Sequence, residues 1–361
     1  MHIPQHLPRY EPLRSYEENY RSAPAPVSVD VPPLEGRYRF CGLPVDSPLG
    51  IPAGPLLNGR WVLYYASLGF DILTYKTVRS AARECYAMPN LQPVQTGPLE
   101  RSGSRVPAAD SMRGSWAVSF GMPSRSPEVW RGDVEQTRKR LPSGKLLVVS
   151  VVGTAQPGGT IDDLARDYAQ CARWAVESGA DAVEANLSCP NVATCDGTLY
   201  QQPDSAAVVA AALRSAVEAV PLIVKIGHLT EPSWIDALLT AVGPHVSGIA
   251  MTNSIAAHVE GSQRRHMFGG EPRGICGDAT RDASVRQVAL FDKLLTAQRR
   301  QIRLIGVGGI GTAAHVRHYL EAGAESVQLA TSAMVDPAVA LKIRQNWQAA
   351  IPRPASSAGS R

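Results

Sequence analysis

The feature that most constrains the fold is an alternation of eight short apolar runs with helical patterns. The runs cover residues 49–53, 71–76, 146–152, 182–187, 222–227, 248–253, 302–308 and 326–330. Near-continuous apolar strands indicate burial on both faces, as in a parallel sheet. Eight strand–helix units close a TIM (β/α)8 barrel, which is the α/β fold that we predict. A doubly wound open sheet is the alternative, and it is disfavoured because the first strand–helix turn lacks the spaced glycines of a dinucleotide-binding fingerprint.

The segments between the strands complete the predicted organisation. Helical patterns cover 161–178, 205–219, 231–242, 282–299, 312–322 and 337–350. Two long excursions, 77–125 and 254–281, follow strands at the C-terminal face, where barrel enzymes carry substrate loops and lids. The sequence therefore predicts an irregular N-terminal arm over 1–37, a barrel over 38–350 with long loop insertions at its C-terminal face, and a disordered tail over 351–361.

Composition excludes several classes of protein. The apolar fraction of 44% suits a globular core, and no run approaches the ~20 apolar residues of a membrane span. Since the N-terminus has no apolar signal core, we predict a cytoplasmic protein without membrane insertion. The net charge of +4 comes without a dense block of Lys and Arg, so a nucleic-acid partner is not expected. The six cysteines show neither disulfide-framework nor metal-site spacing, so we predict free thiols and no metal.

One tight turn carries the most chemistry. Asn186-Leu187-Ser188-Cys189-Pro190-Asn191 follows the fourth apolar run and delivers two carboxamides and a thiol to one place. Carboxamides can fix a planar polar ligand through paired donor and acceptor bonds. A thiol beside them can act as a base or nucleophile if its surroundings favour the thiolate. Cys189 is therefore the candidate catalytic residue, and Cys195 in the following loop is the second choice.

The ends of the other strands add amides, lysines and small residues. These positions are Ala53, Gly54, Lys76, Asn186, Lys225, Asn253, Ser254, Gly308, Gly309, Ala330 and Thr331. Carboxylates are scarce among them, which argues against hydrolysis by a carboxylate pair and favours a pocket for a flat, anionic ring. Lys225 lies inside an apolar strand, so it either pairs with a strand or helix carboxylate or holds the electron-rich edge of a cofactor.

Two small-residue turns end the last strands. Gly306-Val307-Gly308-Gly309 ends the seventh strand, and Leu329-Ala330-Thr331 ends the eighth. Glycines let backbone N–H groups approach a phosphate, and the loops after strands seven and eight commonly bind phosphate in this fold. The pattern predicts a phosphate site there, although glycines that only shape a turn would give the same signal.

The motifs together resemble the dihydroorotate dehydrogenases, flavin enzymes of pyrimidine biosynthesis. Asn-Leu-Ser-Cys-Pro-Asn at 186–191 is the specific motif, and Tyr-Lys-Thr-Val at 75–78, Ile-Val-Lys-Ile at 223–226 and Thr-Asn-Ser at 252–254 support it. The resemblance spans roughly residues 38 to 345. A cysteine at the position of the base is similar to the cytosolic members of the family, whereas the membrane-bound class has serine there.

The resemblance implies a flavin mononucleotide (FMN) at the barrel mouth and a role for each motif. The flavin ring would lie near Ala53, Gly54, Lys76 and Lys225, and its phosphate would contact Gly308, Gly309, Ala330 and Thr331, with Gly277 nearby. Lys76, Asn186, Asn191, Asn253 and Ser254 would hold a small-molecule substrate. Cys189 would remove the C5 proton of (S)-dihydroorotate while hydride passes from C6 to the flavin. The resemblance also implies a homodimer and leaves the electron acceptor open.

The loop after the second strand departs from the family pattern. The family usually has Asn-x-x-Gly-x-x-Asn there, and this chain has Val118 and Ser124 at the two asparagine positions, with Ser119 as a possible substitute. Loss of one hydrogen bond to a charged ligand costs on the order of 1.5–3 kcal/mol. A flavin enzyme for another small cyclic amide or enoate therefore stays open. A tRNA-dihydrouridine-synthase-like enzyme and a flavin-free phosphate-binding barrel are the remaining alternatives.

Overall fold

Eight parallel strands close into a barrel in chain order, as the sequence predicts. The computed structural model describes residues 4, 6–188 and 199–347. The barrel strands are β1 (Leu49–Ile51), β2 (Ile72–Val78), β3 (Leu146–Val151), β4 (Ala182–Asn186), β5 (Leu222–Lys225), β6 (Gly248–Met251), β7 (Arg303–Val307) and β8 (Ser326–Gln328). Parallel pairing of Val327 with Leu49 closes the circle between β8 and β1. The predicted TIM barrel is confirmed.

Helices cover the outside of the barrel. They are α1 (Gly59–Ser67), α2 (Pro127–Arg140), α3 (Ile161–Glu177), α4 (Pro203–Val217), α5 (Pro232–Val242), α6 (Arg281–Ala297), α7 (Ala313–Glu321) and α8 (Val339–Gln345). A short helix, Thr331–Val335, precedes α8. Pro337 separates the two, because proline cannot donate the backbone hydrogen bond that a continuous helix needs. The helix predicted over 337–350 therefore begins at Val339, and residues from 348 onward lie outside the described part of the chain.

The N-terminal end of the barrel is closed by an apolar cluster, and charged side chains are buried further along the strands. A hairpin of Tyr38–Phe40 and Leu43–Val45 packs Phe40 and Val45 against Ile72 and Leu146, at the N-terminal ends of β2 and β3. Toward the C-terminal ends the buried residues include Glu184 and Lys225, which are 1% and 2% exposed. These two charged side chains lie toward the end where the strands lead into loops, which is where barrel enzymes carry their active sites.

The two excursions form one sheet, which we call the cap sheet. It has five strands in the order Leu91–Pro93, Ser115–Val118, Arg273–Gly277, Ile255–Glu260 and Ser104–Pro107. The strand Ser115–Val118 of the first excursion pairs antiparallel with Arg273–Gly277 of the second. The sequence predicts only two separate loops. Short strands that pair with partners far away in the sequence leave little local periodicity from which they could be recognised.

The N-terminal arm contains a helix that the sequence analysis does not predict. Tyr16–Arg21 forms a six-residue helix with a capping box, in which Ser15 and Glu18 satisfy each other's backbone N–H groups. The arm is tied to α1 through the Trp61 indole N–H, which donates to the carbonyl of Asn19 at 3.1 Å. Six residues are too few for a helical period to stand out. No helix in the described residues is long and apolar enough to cross a membrane.

Candidate active site

One cavity lies between the C-terminal ends of the barrel strands and the cap sheet. It is lined by every described residue of the predicted site: Ala53, Gly54, Lys76, Asn186, Lys225, Asn253, Ser254, Gly277, Gly308, Gly309, Ala330 and Thr331. Cys189 and Asn191, like Cys195, lie outside the described residues. The structure therefore brings together residues from seven of the eight strand ends.

Asn186 is held so that its NH2 group is the part available to a ligand. Its side-chain oxygen accepts hydrogen bonds from the backbone N–H and the hydroxyl of Ser188, at 3.0 and 2.9 Å. Its Nδ2 lies 3.5 Å from the sulfur of Met122, which is a weak acceptor. Because the acceptor oxygen is used within the turn, Asn186 can offer donors to a carbonyl or carboxylate oxygen of a bound molecule.

Lys225 has both an ion-pair partner and access to the cavity, so the structure is compatible with both interpretations of its role given by the sequence. It lines the cavity, and its Nζ also lies 4.0 Å from Oε1 of Glu184 on the neighbouring strand β4. Glu184 does not line the cavity, and its Oε1 has no hydrogen-bond partner within the described structure. A buried ammonium needs compensating negative charge. The long ion pair with Glu184 leaves Lys225 able to interact with a second electron-rich group in the cavity.

Lys76 contacts a residue that the sequence analysis did not connect with the site. Its side chain is 7% exposed, and its Nζ lies 5.6 Å from the ring centroid of Tyr16 in the N-terminal helix. That distance is within the range of a cation–π interaction. No sequence signal links the two residues, because the arm has no period and lies far from Lys76 in the chain.

The first excursion gives the cavity an apolar wall, partly from the cap sheet and partly from the loop that follows Val118. Leu91, Trp116, Val118, Phe120 and Met122 line it. Successive residues of a strand point to opposite faces, so Val118 faces the cavity while the following residue turns away from it.

Two serines, Ser119 and Ser124, lie at or next to the positions where the family usually has asparagine, and neither lines the cavity. The Ser119 hydroxyl accepts a hydrogen bond from Arg273 Nε at 2.9 Å and does not line the cavity. The idea that Ser119 replaces the missing asparagine is therefore wrong. The Ser124 hydroxyl accepts from the backbone N–H of Arg79 at 3.1 Å. The wall at this point has no side-chain amide.

Cys276 is a cavity-lining thiol that the sequence analysis did not single out. It lies in the cap-sheet strand Arg273–Gly277, and its sulfur donates to the carbonyl of Asn253 at 3.6 Å. Burial raises the pKa of the Cys276 thiol to about 11, and the nearby Lys225 opposes part of that rise. The thiol is therefore neutral near pH 7. Recognising it from sequence would have required knowing that the second excursion covers the barrel.

The end of the cavity near β7 and β8 has the features of an anion site. Gly308 and Gly309 have φ angles of 131° and 61°, which favour glycine, and α7 begins just beyond them with Thr312 as its N-cap. A Cβ on Gly309 would lie 2.5 Å from the Cβ of Arg281, so a larger residue would not fit. Thr331 is 8% exposed, and its hydroxyl has no partner within the described residues. Backbone N–H groups, a helix N-terminus and an unpaired hydroxyl suit a phosphate.

An adjoining cavity extends this end of the site. It shares Gly277, Gly309, Ala330 and Thr331 with the main cavity and adds His315 of α7. The Nδ1 atom of His315 accepts the backbone N–H of Gly311 at 3.3 Å. Burial, and then the positive charge of Arg281, lowers the pKa of His315. A neutral imidazole that accepts through Nδ1 carries its proton on Nε2, which makes it a further hydrogen-bond donor.

Comparison with known proteins gives a consistent result. The family model described as dihydroorotate dehydrogenase matches residues 37–351. A dihydroorotate dehydrogenase of Dictyostelium discoideum is 30% identical over 96% of this chain and 99% of its own length. The catalytic subunit of an NAD(+) dihydroorotate dehydrogenase B from Desulforudis audaxviator is 26% identical over 84% of this chain and 88% of its own length.

A solved structure supports the same fold. The dihydroorotate dehydrogenase of Eimeria tenella, crystallised with ferulenol, matches with a TM-score of 0.71 at 19% identity, covering 96% of this chain and 92% of that one. At that identity the match speaks for the fold alone, while the family model and the Dictyostelium relative speak for the family. The chain belongs to the dihydroorotate dehydrogenase family and is an oxidoreductase that acts on CH–CH groups.

Proposed function

We propose that the protein oxidises (S)-dihydroorotate to orotate, a step of pyrimidine biosynthesis, and uses FMN to do so. The observation that carries the proposal is that amides, two buried lysines and a phosphate-compatible end line one cavity at the barrel mouth. The relatives that share the family are named for the same substrate. The protein itself is expected in the cytoplasm as a homodimer, which the resemblance to the cytosolic members supports.

The residues of the cavity fit FMN. The unpartnered Thr331 hydroxyl, together with Gly308, Gly309 and Ala330, would hold the phosphate, with Gly277 nearby. Ala53, Gly54, Lys76 and Lys225 would hold the ring. Lys225 offers a buried positive charge whose ion pair with Glu184 is 4.0 Å long, so it can stabilise negative charge on the ring edge. Bound FMN would supply the acceptor for the hydride that leaves the substrate.

The substrate's charged and carbonyl groups would be held by the polar side chains at the strand ends. Asn186 would donate from its NH2 group, since its oxygen is used by Ser188. Lys76 would pair with the substrate carboxylate, and Asn191, Asn253 and Ser254 would bond the ring amides. Cys189 would remove the C5 proton as a thiolate, after which it would carry that proton as a thiol.

The first test is anaerobic mixing of the purified, FMN-loaded protein with dihydroorotate while the visible flavin absorbance is followed. Rapid loss of that absorbance, with formation of orotate, is the expected result. A protein that binds FMN and stays oxidised would reject dihydroorotate as the substrate. A protein that does not take up FMN at all would reject the flavin assignment as well.

A substitution at the proposed base separates binding from proton removal. Cys189→Ala is expected to keep FMN and to lose at least about 100-fold in flavin reduction by dihydroorotate, because a positioned base typically contributes that much. Cys189→Ser should retain activity that rises at higher pH, since a hydroxyl is a weaker acid than a thiol. Unchanged flavin reduction in Cys189→Ala would remove Cys189 as the base, and Cys276→Ala serves as the control for a thiol of the same cavity.

A second candidate is an FMN oxidoreductase for a different small cyclic amide or enoate. Val118 favours it, because the cavity wall is apolar where an amide would bond the substrate, and Ser119 points elsewhere. If dihydroorotate is the substrate, Val118→Asn should lower its KM about three- to tenfold by adding a hydrogen bond. Steady-state kinetics at fixed acceptor concentration measure this, with Val118→Leu as the matched control. A KM that stays the same or rises in Val118→Asn would favour the second candidate.

A further inference from the structure

The N-terminal helix reaches the candidate active site. Tyr16 is 4% exposed, and the face of its ring lies 5.6 Å from the Lys76 ammonium, which lines the cavity. The rings of Tyr10 and Tyr16 also pack in T-shaped arrangements with the ring of Phe120, at centroid distances of 6.2 and 6.4 Å. Phe120 lines the same cavity. The arm therefore contacts both Lys76 and Phe120 of the cavity, although Tyr16 itself does not line it.

The helix is held firmly enough to position what it contacts. Asn19 donates to the carbonyls of Glu11, Arg14 and Ser15 at 3.0 to 3.2 Å, which folds the preceding segment back on the helix. The side chain of Asn58, at the start of α1, donates to the carbonyl of Tyr20 at 2.8 Å. These bonds join the arm to the barrel wall.

A second attachment links the helix to the first excursion. Glu17 forms an ion pair with Arg125 at 2.5 Å, and the Arg125 guanidinium stacks on the ring of Tyr20 at 4.3 Å. Arg125 lies at the end of the excursion that supplies the apolar cavity wall. The helix is thus anchored on both sides of the Lys76–Tyr16 contact.

We propose that Tyr16 is a positioning residue of the active site, which holds the Lys76 ammonium by a cation–π interaction so that it meets the substrate carboxylate. The assignment rests on the proposed function, because it takes dihydroorotate as the molecule that Lys76 binds. A lysine side chain has several rotatable bonds, and fixing its end before the substrate arrives lowers the entropy that binding costs. The N-terminal arm is then part of the substrate site.

Variants of the ring test the contact. Tyr16→Leu is expected to raise the KM for dihydroorotate roughly tenfold with little change in bound FMN, and Tyr16→Phe should restore the wild-type KM because it keeps the ring face. Arg125→Met is the matched control: it removes the ion pair with Glu17 and the cation–π contact with Tyr20 from the same helix while keeping the Tyr16 ring and Lys76, and its KM should stay within about twofold of wild type. Equal rises in Tyr16→Leu and Arg125→Met would mean that any loosening of the arm suffices, and would overturn the proposal.

A double substitution decides whether Tyr16 acts through Lys76. Adding Tyr16→Leu to Lys76→Met should raise the KM no further than Lys76→Met alone, because the group that Tyr16 positions is already gone. Effects that multiply in the double variant would reject the assignment.

A readout without substrate separates this proposal from the proposed function. The chain has only six lysines, so labelling each with 13C at Cε gives few resonances, and Lys76→Met identifies the relevant one. Its chemical shift should move in Tyr16→Leu, which loses the ring current, and stay in Arg125→Met, which keeps the Tyr16 ring. If dihydroorotate fails to reduce the wild-type flavin, the proposed function falls while this resonance still decides the contact. A shift that does not move in Tyr16→Leu would overturn it.

Discussion

At the scale of single residues, the site depends on how charge is placed beneath the cavity. Lys225 of β5 lies opposite Asn186 in the register of the neighbouring strand β4. This register places the ammonium of one residue beside the carboxamide of the other. Glu184 lies two residues earlier in β4 and reaches the same cation from below at 4.0 Å. The lysine is therefore shared between a buried carboxylate and the cavity. The negative charge of Glu184 should therefore set how strongly Lys225 stabilises negative charge on the FMN proposed above.

Glu184→Gln tests this arrangement. Removing the carboxylate charge while keeping the side-chain shape should strengthen the field of Lys225 in the cavity, so the potential of the bound flavin should rise by at least roughly 30 mV, the equivalent of about 1.4 kcal/mol for a two-electron couple. Equilibration with a redox dye measures it. The control variant is Glu325→Gln, which removes a partly buried carboxylate at the opposite end of the barrel. The flavin potential of this variant should match that of the wild type. A flavin potential that is unchanged or lower in Glu184→Gln would contradict the inference that Glu184 weakens the field of Lys225 in the cavity.

At the scale of elements, the sequence predicts what has a strong period. The helices α3 to α7 and all eight strands are recognisable because one face, or both, is regularly apolar. Helix α1 lacks a period because Trp61 to Ala66 are all buried, and α2 is mostly polar with Trp130, Val134 and Thr137 as its buried residues. The grouping of the candidate residues in one cavity could be predicted from the strand ends, since parallel strands bring those ends together. The cap sheet and the Tyr16 contact did not, because both depend on packing between distant segments.

The start of α3 shows how strongly one element depends on its cap. The Thr160 hydroxyl accepts the backbone N–H of Asp163 at 3.2 Å, and the Asp163 carboxylate accepts that of Thr160 at 2.8 Å. Thr160→Ala should lower the free energy of unfolding by about 1 kcal/mol, and Thr160→Ser should recover most of it. Urea denaturation measures both. No loss in Thr160→Ala would mean that the cap adds nothing to this long helix.

The same cap predicts a dependence on pH. Hydrogen bonds from Thr160, backbone and side chain, and from Arg166 lower the pKa of Asp163 from 3.8 to about 2. A lowered pKa in the folded state means that the carboxylate contributes stability above pH 3.8 and loses it as the pH falls towards 2. The stability difference between wild type and Asp163→Asn should therefore be constant near neutral pH and shrink over that acidic range. A difference that grows as the pH falls would contradict this sign.

At the scale of the whole molecule, one buried charge cluster joins the N-terminal arm to the last described helix. Asp71, at the start of β2, is 1% exposed and contacts both Arg344 of α8 and Lys145, the latter at 2.5 Å. Arg344 also donates to the carbonyls of Gly69 and of Pro32 in the arm, each at 2.9 Å. The arm, the barrel and the last described helix therefore meet at one guanidinium.

Removing that guanidinium should be costly. Arg344→Met is expected to lower the free energy of unfolding by about 3–5 kcal/mol, because it leaves a buried carboxylate without one of its partners. Lys139→Met, which breaks an exposed pair with Glu135 at 2.6 Å, should cost less than about 1 kcal/mol. Chemical denaturation of both variants gives the comparison. Similar values for the two would show that the cluster is no more important than a surface pair.

The cap sheet has a consequence for the order in which the protein is made. Its central pair joins Ser115–Val118 with Arg273–Gly277, so the cavity wall is completed only after most of the barrel strands have been synthesised. A growing chain that has already produced Asn186 and Lys225 still lacks Cys276, Gly277 and the glycines of the anion site. If FMN is the cofactor, as proposed above, its capture would have to wait until β7, β8 and their loops have been synthesised, so activity would be gained in one late step of biosynthesis.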